Sequence, residues 1–181
     1  MAASRTKQLS LVLLHANGRL LLGMKKAGFG AGKWNGFGGK YEPGETLMEG
    51  ALREMVEESR VTVTDLSLRG RILFEFEAEG SDKLEVHVFR GSCFTGEPSE
   101  TNEMRPQWYD DSAPPLAQMW PDDAFWLPLL LAGERFDAFF LFRGHGTIVT
   151  QRIRVLKPEE ALPHGPDDVL VTGERQSAIS A

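Results

Sequence analysis

Glu54, Glu57 and Glu58 are spaced i, i+3, i+4 along the chain. On a helix, this spacing puts all three carboxylates within about one third of the circumference. Like charges so placed repel by roughly a few tenths of a kcal/mol per pair. They are either screened by solvent or bridged by a cation. Carboxylate oxygens are the ligands Mg²⁺ prefers, and Mg²⁺ keeps positions free for water and substrate phosphates. A cation held this way can neutralise charge on a phosphoanhydride and activate water for in-line attack. The spacing alone also fits a solvated acidic face, and both readings stand at this point.

The segment ahead of these glutamates has the opposite charge. No Asp or Glu precedes Glu42, whereas Arg5, Lys7, Arg19, Lys25, Lys26, Lys33 and Lys40 all do, in a chain whose formal net charge is −6. A basic segment beside an acidic one suits a small phosphorylated ligand bridged by metal. It would equally serve to solubilise two strands and a loop. An acidic chain is not expected to coat a nucleic-acid polymer, which demands clustered cations. Gly28-Phe-Gly-Ala-Gly-Lys-Trp-Asn-Gly-Phe-Gly-Gly is dense in glycine. It contains neither the Gly-x-x-x-x-Gly-Lys-Ser/Thr loop nor the Gly-x-Gly-x-x-Gly fingerprint.

The elements that must position these groups follow from periodicity. Leu9–Leu14 and Arg19–Met24 flank Ala16-Asn17-Gly18 and read as a β-hairpin. Thr46–Ser59 has helical spacing, with Leu47, Ala51, Leu52, Met55 and Val56 on one face. Arg71–Phe76 and Leu84–Phe94 read as strands, with His87 an ordinary strand residue, and Glu103–Tyr109 as a short one. A second helix is expected from Trp120-Pro121-Asp122-Asp123, because proline suits the first helical position and acids its N-terminus. Pro128 and Gly133 are expected to limit it. Phe136–Phe142 and Thr147–Val155 form a closing strand pair around Gly144-His-Gly. Strands and helices mix without βαβ alternation, so an α/β (α+β) fold with a mixed sheet sandwiched between helices is expected.

At 181 residues with 41% hydrophobic and 25% charged content, the chain suits one soluble globular domain. No apolar run reaches the roughly 18 residues of a membrane span, and the first residues lack a secretory hydrophobic region. One cysteine, Cys93, excludes an internal disulfide and a Cys-rich zinc site, and a reducing compartment is the simplest expectation. The domain is expected to end near residue 156. Residues 157–181, rich in Pro, Glu, Asp, Gly and Ser, are expected to form a disordered or loosely attached tail.

Reading forward from Gly39, five residues lead to Glu45, and seven more to Arg53-Glu54-Met55-Val56-Glu57-Glu58. This glycine, glutamate, arginine–glutamate and twin-glutamate pattern resembles the Nudix box. The resemblance implies that Glu54, Glu57 and Glu58 hold a divalent cation, Mg²⁺ with Mn²⁺ as a substitute. Arg53 and Glu45 would orient them, and the main-chain carbonyl near Gly38 would complete the shell. Arg60 stands where the box usually has glycine. If the family backbone is kept, Arg60 takes a left-handed conformation, at about 1–2 kcal/mol.

Outside the box, Gly23-Met-Lys-Lys, Gly28–Lys40, Phe74-Glu-Phe, Val86-His-Val-Phe, Glu103-Met-Arg-Pro and Met119-Trp-Pro-Asp-Asp resemble the animal Nudix branch that hydrolyses oxidised purine nucleoside triphosphates. The implied substrates are 8-oxo-dGTP, 2-oxo-dATP and related triphosphates. The implied products are a monophosphate and pyrophosphate, and the role is to clean the nucleotide pool. Phe29, Phe74, Phe76, Leu84, Met104, Trp120 and Trp126 could supply an apolar base slot, or simply core. By resemblance, Asn35, Asp122 and Asp123 read the purine edge, Trp120 stacks on it, and Glu103 reaches the metal from outside the box. Gln8, Lys25, Phe37, Gly38, Gly39, Lys40 and Pro121 are further expected substrate contacts. The alternatives are a Nudix hydrolase of ADP-ribose, a dinucleotide or capped RNA, or a nucleotide-binding module without catalysis. The implied protein is a monomer acting on a small molecule in the cytoplasm, without membrane or nucleic-acid partners; a nuclear or mitochondrial fraction stays open.

Overall fold

The computed structural model describes residues 5–163 and the backbone of 175–176. Strand β1 (Arg5–Ala16) turns into β2 (Arg19–Lys25) through Asn17 and Gly18, both at positive φ. That is the two-residue turn whose twist matches paired strands, and it sets Ala16 opposite Arg19. Short β3 (Trp34–Asn35) pairs with β2 and leads into helix α1 (Leu47–Ser59). Next come β4 (Thr62–Val63), β5 (Ser67–Phe76), β6 (Lys83–Gly91), β7 (Phe94–Thr95) and β8 (Met104–Asp110). A 3₁₀ turn at Leu116–Gln118, helix α2 (Asp123–Leu131), β9 (Arg135–Arg143) and β10 (Thr147–Leu156) follow.

Among the described residues the main sheet runs β10-β9-β5-β6-β1-β2-β3, with β8 also on β2 and the short β11 (Arg175–Gln176) on β1. The β1–β6 and β5–β9 pairs are parallel and the rest antiparallel, so the sheet is mixed as expected. Alternation along β1 separates two cores. Leu13 joins Trp126, Leu127 and Leu130 of α2, while Val12 and Leu14 join Leu47, Ala51 and Met55 of α1. The sheet thus lies between the two helices.

Helix α1 starts where its chemistry says it should. Thr46 Oγ1 accepts the Glu49 N–H at 3.1 Å, and Glu49 Oε2 accepts the Thr46 N–H at 2.8 Å, a complete capping box. Its buried stripe is rotated from the expected one: Leu47, Gly50, Ala51, Met55, Glu58 and Ser59 face inward, while Val56 is 38% exposed. The helix stops at Arg60, at φ 65°, whose N–H bonds the Val56 carbonyl at 2.9 Å. Arg60 thus takes the left-handed conformation without the glycine that would adopt it freely.

Helix α2 departs from expectation at its start and at Pro128, while Gly133, at φ 83°, follows its end as expected. The helix begins at Asp123, not Pro121, and Pro128 lies inside it. Pro128 forfeits one helical bond, but Trp126, Leu127 and Leu130 bury the helix against the sheet and outweigh that loss. Residues 157–163 are attached: Arg135 Nη1 donates to the Glu160 carbonyl at 2.8 Å, and Leu162 is buried in the α1-side core. The rest of the expected tail, residues 164–181, lies outside the described residues apart from the β11 backbone.

Replacing Arg60 by glycine should relieve the left-handed strain. We expect Arg60→Gly to gain about 1 kcal/mol, or about 2–4 °C in melting temperature, with turnover unchanged. A thermal melt of the two proteins checks this.

Candidate active site

Arg53 organises the acidic face. Its Nε and Nη2 donate to Glu45 at 2.6 and 3.0 Å, and Nη2 also to the Lys40 carbonyl at 3.0 Å. Its Nη1 reaches Glu54 at 3.0 Å and Glu57 at 3.2 Å. The guanidinium bond holds the Glu45 carboxyl below its ordinary range, and Glu45 in turn raises the Arg53 pKa. Glu54 goes the other way: burial lifts its pKa, Arg53 opposes this, and Glu57 and Glu103 add repulsion.

Glu58 is almost fully buried and accepts the Gly38 N–H at 2.9 Å. Burial pushes its carboxyl up to about 7; the Gly38 bond and Lys25 hold it back, while Glu54 and Glu103 push it further. Among the described residues, no three His, Cys, Asp or Glu side chains are arranged to hold a metal ion as they stand. Glu54, Glu58 and Glu103 nonetheless feel one another's charge.

Glu58, Lys25, Gly38, Gly39 and Lys40 line a cavity of about 590 Å³, together with Asn35, Trp120, Asp122, Asp123 and Trp126. The groups expected to face phosphate and those expected to face a base therefore share one cavity. Phe29, Phe74, Phe76, Leu84 and Met104 line it too, as a slot would require. Three expected contacts do not. Gln8 points to the α1 side, donating to Glu85 Oε1 at 3.2 Å, and Ser10 lines the cavity instead, bonded to Gly39. Phe37 is fully buried in the α1-side core, and Pro121 is absent from the lining. Glu103, Glu54, Glu57, Glu45 and Arg53 stand outside the cavity wall.

The aspartates sit where α2 begins. Trp126 Nε1 donates to Asp122 Oδ2 at 2.8 Å, and the Trp120 N–H to Asp123 Oδ2 at 3.0 Å. Both side chains are buried. Burial raises the Asp122 carboxyl to about 6, against the Trp126 bond. Burial and then Asp122 raise Asp123 well above the ordinary range, against the Trp120 N–H and Lys33. Asn35 Oδ1 accepts the Gly36 N–H at 2.8 Å.

Sequence reasoning missed Lys33, whose Nζ lies 5.1 Å from the centre of the Trp120 ring. It also missed Lys7, Ser10 and His145 in the cavity lining. Lys33 was visible as a cation two residues before Asn35. His145 had no local signal, because it arrives from the far β9–β10 turn.

A mixed sheet between two helices, with a glycine loop feeding a Glu-rich helix that borders a cavity, defines the Nudix architecture. A NUDIX domain model matches residues 5–130, and the chain belongs to that family. It is 52% identical over 148 residues to the oxidized purine nucleoside triphosphate hydrolase of Danio rerio, covering 82% of this chain and 94% of that one. With the Mus musculus protein of the same name it shares 47% over 152 residues, covering 83% and 96%. The fold matches a MutT protein structure from Bacillus halodurans with a TM-score of 0.73 at 22% identity, over 81% of this chain and 97% of that one.

The buried aspartates bind protons more tightly folded than unfolded. Stability should therefore fall as pH rises from about 4, the unfolded carboxylate value, through the raised folded values. Asp123→Asn should raise the melting temperature by a few degrees at pH 7.5 and by much less at pH 4.5. Melts of the ligand-free protein across that range check it.

Proposed function

We propose that this Nudix protein hydrolyses oxidised purine nucleoside triphosphates, 8-oxo-dGTP and 2-oxo-dATP among them, to the monophosphate and pyrophosphate, and so keeps damaged bases from polymerases. The observation that carries this is the buried Asp122–Asp123 pair in the same cavity as Glu58 and the glycine loop. The names of the animal relatives, at about half identity over nearly their whole length, support the same substrate class.

The donor set suits Mg²⁺, or Mn²⁺ in its place. Glu54, Glu57, Glu58 and Glu103 are hard oxygen ligands, and three of them repel one another in the ligand-free protein. With the Gly38 carbonyl they would hold the ion, which when bound supplies charge neutralisation and a water of lowered pKa. The protein's own residues do the rest. Arg53 aims Glu54 and Glu57 through its two Nη1 bonds. Lys7, Lys25 and Lys40 bring positive charge to the cavity wall for the triphosphate. Gly38 and Gly39 let backbone reach the phosphates.

At the base, Trp120 offers a stacking face and the aspartates read the edge. The Trp126 indole N–H stabilises a charged Asp122, whereas the more deeply buried Asp123 is better kept protonated. One carboxyl then accepts and the other donates, and moving their shared proton exchanges the roles. Guanine-like and adenine-like edges would each find a match.

Pyrophosphate release from 8-oxo-dGTP and dGTP, with and without Mg²⁺, tests the reading. Turnover should need Mg²⁺ and favour the oxidised base, and Glu58→Gln should lower it by about 100-fold or more. Metal-independent turnover or a fully active mutant would overturn the mechanism. Asp122→Asn and Asp123→Asn should change the ratio of 8-oxo-dGTP to 2-oxo-dATP turnover in different ways. Equal losses on both substrates in both mutants would remove the proton-exchange account.

A further inference from the structure

The tip of the β9–β10 hairpin enters the cavity wall. Gly144 and His145 both line it, although they lie more than a hundred residues from the glycine loop. The His145 ring stands edge-on to three aromatic side chains: Phe29 at 5.0 Å and 89°, Phe76 at 6.1 Å and 90°, and Trp120 at 6.3 Å and 84°. Phe29 and Trp120 are themselves stacked, 5.0 Å apart at 26°. The His145 ring is thus nearly perpendicular to the stacked Phe29 and Trp120 rings.

His145 is exposed, and a Cβ added at Gly144 or Gly146 would meet nothing within 4 Å. Its ring nonetheless rests against the aromatic residues of the slot. Phe29, 54% exposed, sits between Gly28 and Gly30, both at positive φ.

We infer that His145 is a specificity-determining residue that closes the open side of the purine slot and touches the base through its ring. This rests on the reading of the cavity as a purine site. The contacts His145 makes here are ring contacts, so aromatic area, rather than a ring nitrogen, is what the base meets. Such an aromatic contact corresponds to roughly a 3- to 10-fold effect on binding.

The test is steady-state kinetics with 8-oxo-dGTP and Mg²⁺ on the full chain and on His145→Ala, His145→Phe and Trp120→Ala. His145→Ala should raise KM about 3- to 10-fold and leave kcat within about twofold. His145→Phe should restore KM. Competitive inhibition by inorganic tripolyphosphate, which has no base, should be the same in His145→Ala as in the wild type. An unchanged KM in His145→Ala, with KM raised in Trp120→Ala, would overturn the role of His145 and leave the purine site standing. Unchanged KM in both would remove the purine site and this inference with it. A phenylalanine that fails to restore KM, or weakened tripolyphosphate inhibition, would also overturn the contact proposed.

Discussion

Backbone contact between the glycine loop, β1 and α1 fixes the relation of the acidic helix to the cavity. A Cβ on Gly38 would lie 2.0 Å from the Ser10 carbonyl oxygen, and one on Gly39 would lie 2.6 Å from Glu54 Oε1. The loop is held there by the Ser10 N–H on the Gly39 carbonyl, at 2.9 Å, and by its own Gly38 N–H on Glu58. The contact continues along the helix, where Gly50 leaves room for the Tyr41 ring. The Gly38 and Gly50 approaches leave no room for a side chain, whereas at Gly39 the neighbour is the movable end of Glu54.

The electrostatics depend on that closeness. One guanidinium, Arg53, joins Glu45, Glu54 and Glu57 and ties them to the Lys40 carbonyl, so the loop and the helix carry a shared network. Burial lifts the Glu54 and Glu58 carboxyls at one group of residues, and Asp122 and Asp123 at the other. The two clusters answer different needs. The first is a set of repelling oxygens that a cation would complete, and the second is a pair of carboxyls whose burial favours the protonated form.

The box made α1 legible, because fixed spacings of Gly39, Glu45, Arg53 and the glutamates define both a helix face and a ligand set. The hairpin was legible from Asn17-Gly18, and the left-handed Arg60 from the one residue that breaks the pattern. What was not legible depends on register and on distant neighbours. Gln8 and Ser10 are two residues apart on one strand, and the pairing of β1 with β6 decides which meets Glu85 and which meets Gly39. Phe37 was expected by resemblance to be a substrate contact, but it lies against Gly23 in the α1-side core. Pro128 marks a helix end in sequence and is carried through α2 by burial. His145 and the attachment of residues 157–163 depend on parts of the chain that meet only after folding.

Gly39→Ala tests whether the close approach of the glycine loop to α1 sets the Glu54 carboxylate in place. Gly39 takes no left-handed backbone angle, and its close neighbour is the end of the Glu54 side chain, so alanine should fold and push that carboxylate aside. The measurement is the rise in melting temperature on adding Mg²⁺, taken beside Mg²⁺-dependent turnover. A cooperative melt close to that of the wild type is expected, with the Mg²⁺-induced rise and the turnover both largely lost. A Gly39→Ala protein with the wild-type response to Mg²⁺ and undiminished turnover would contradict this.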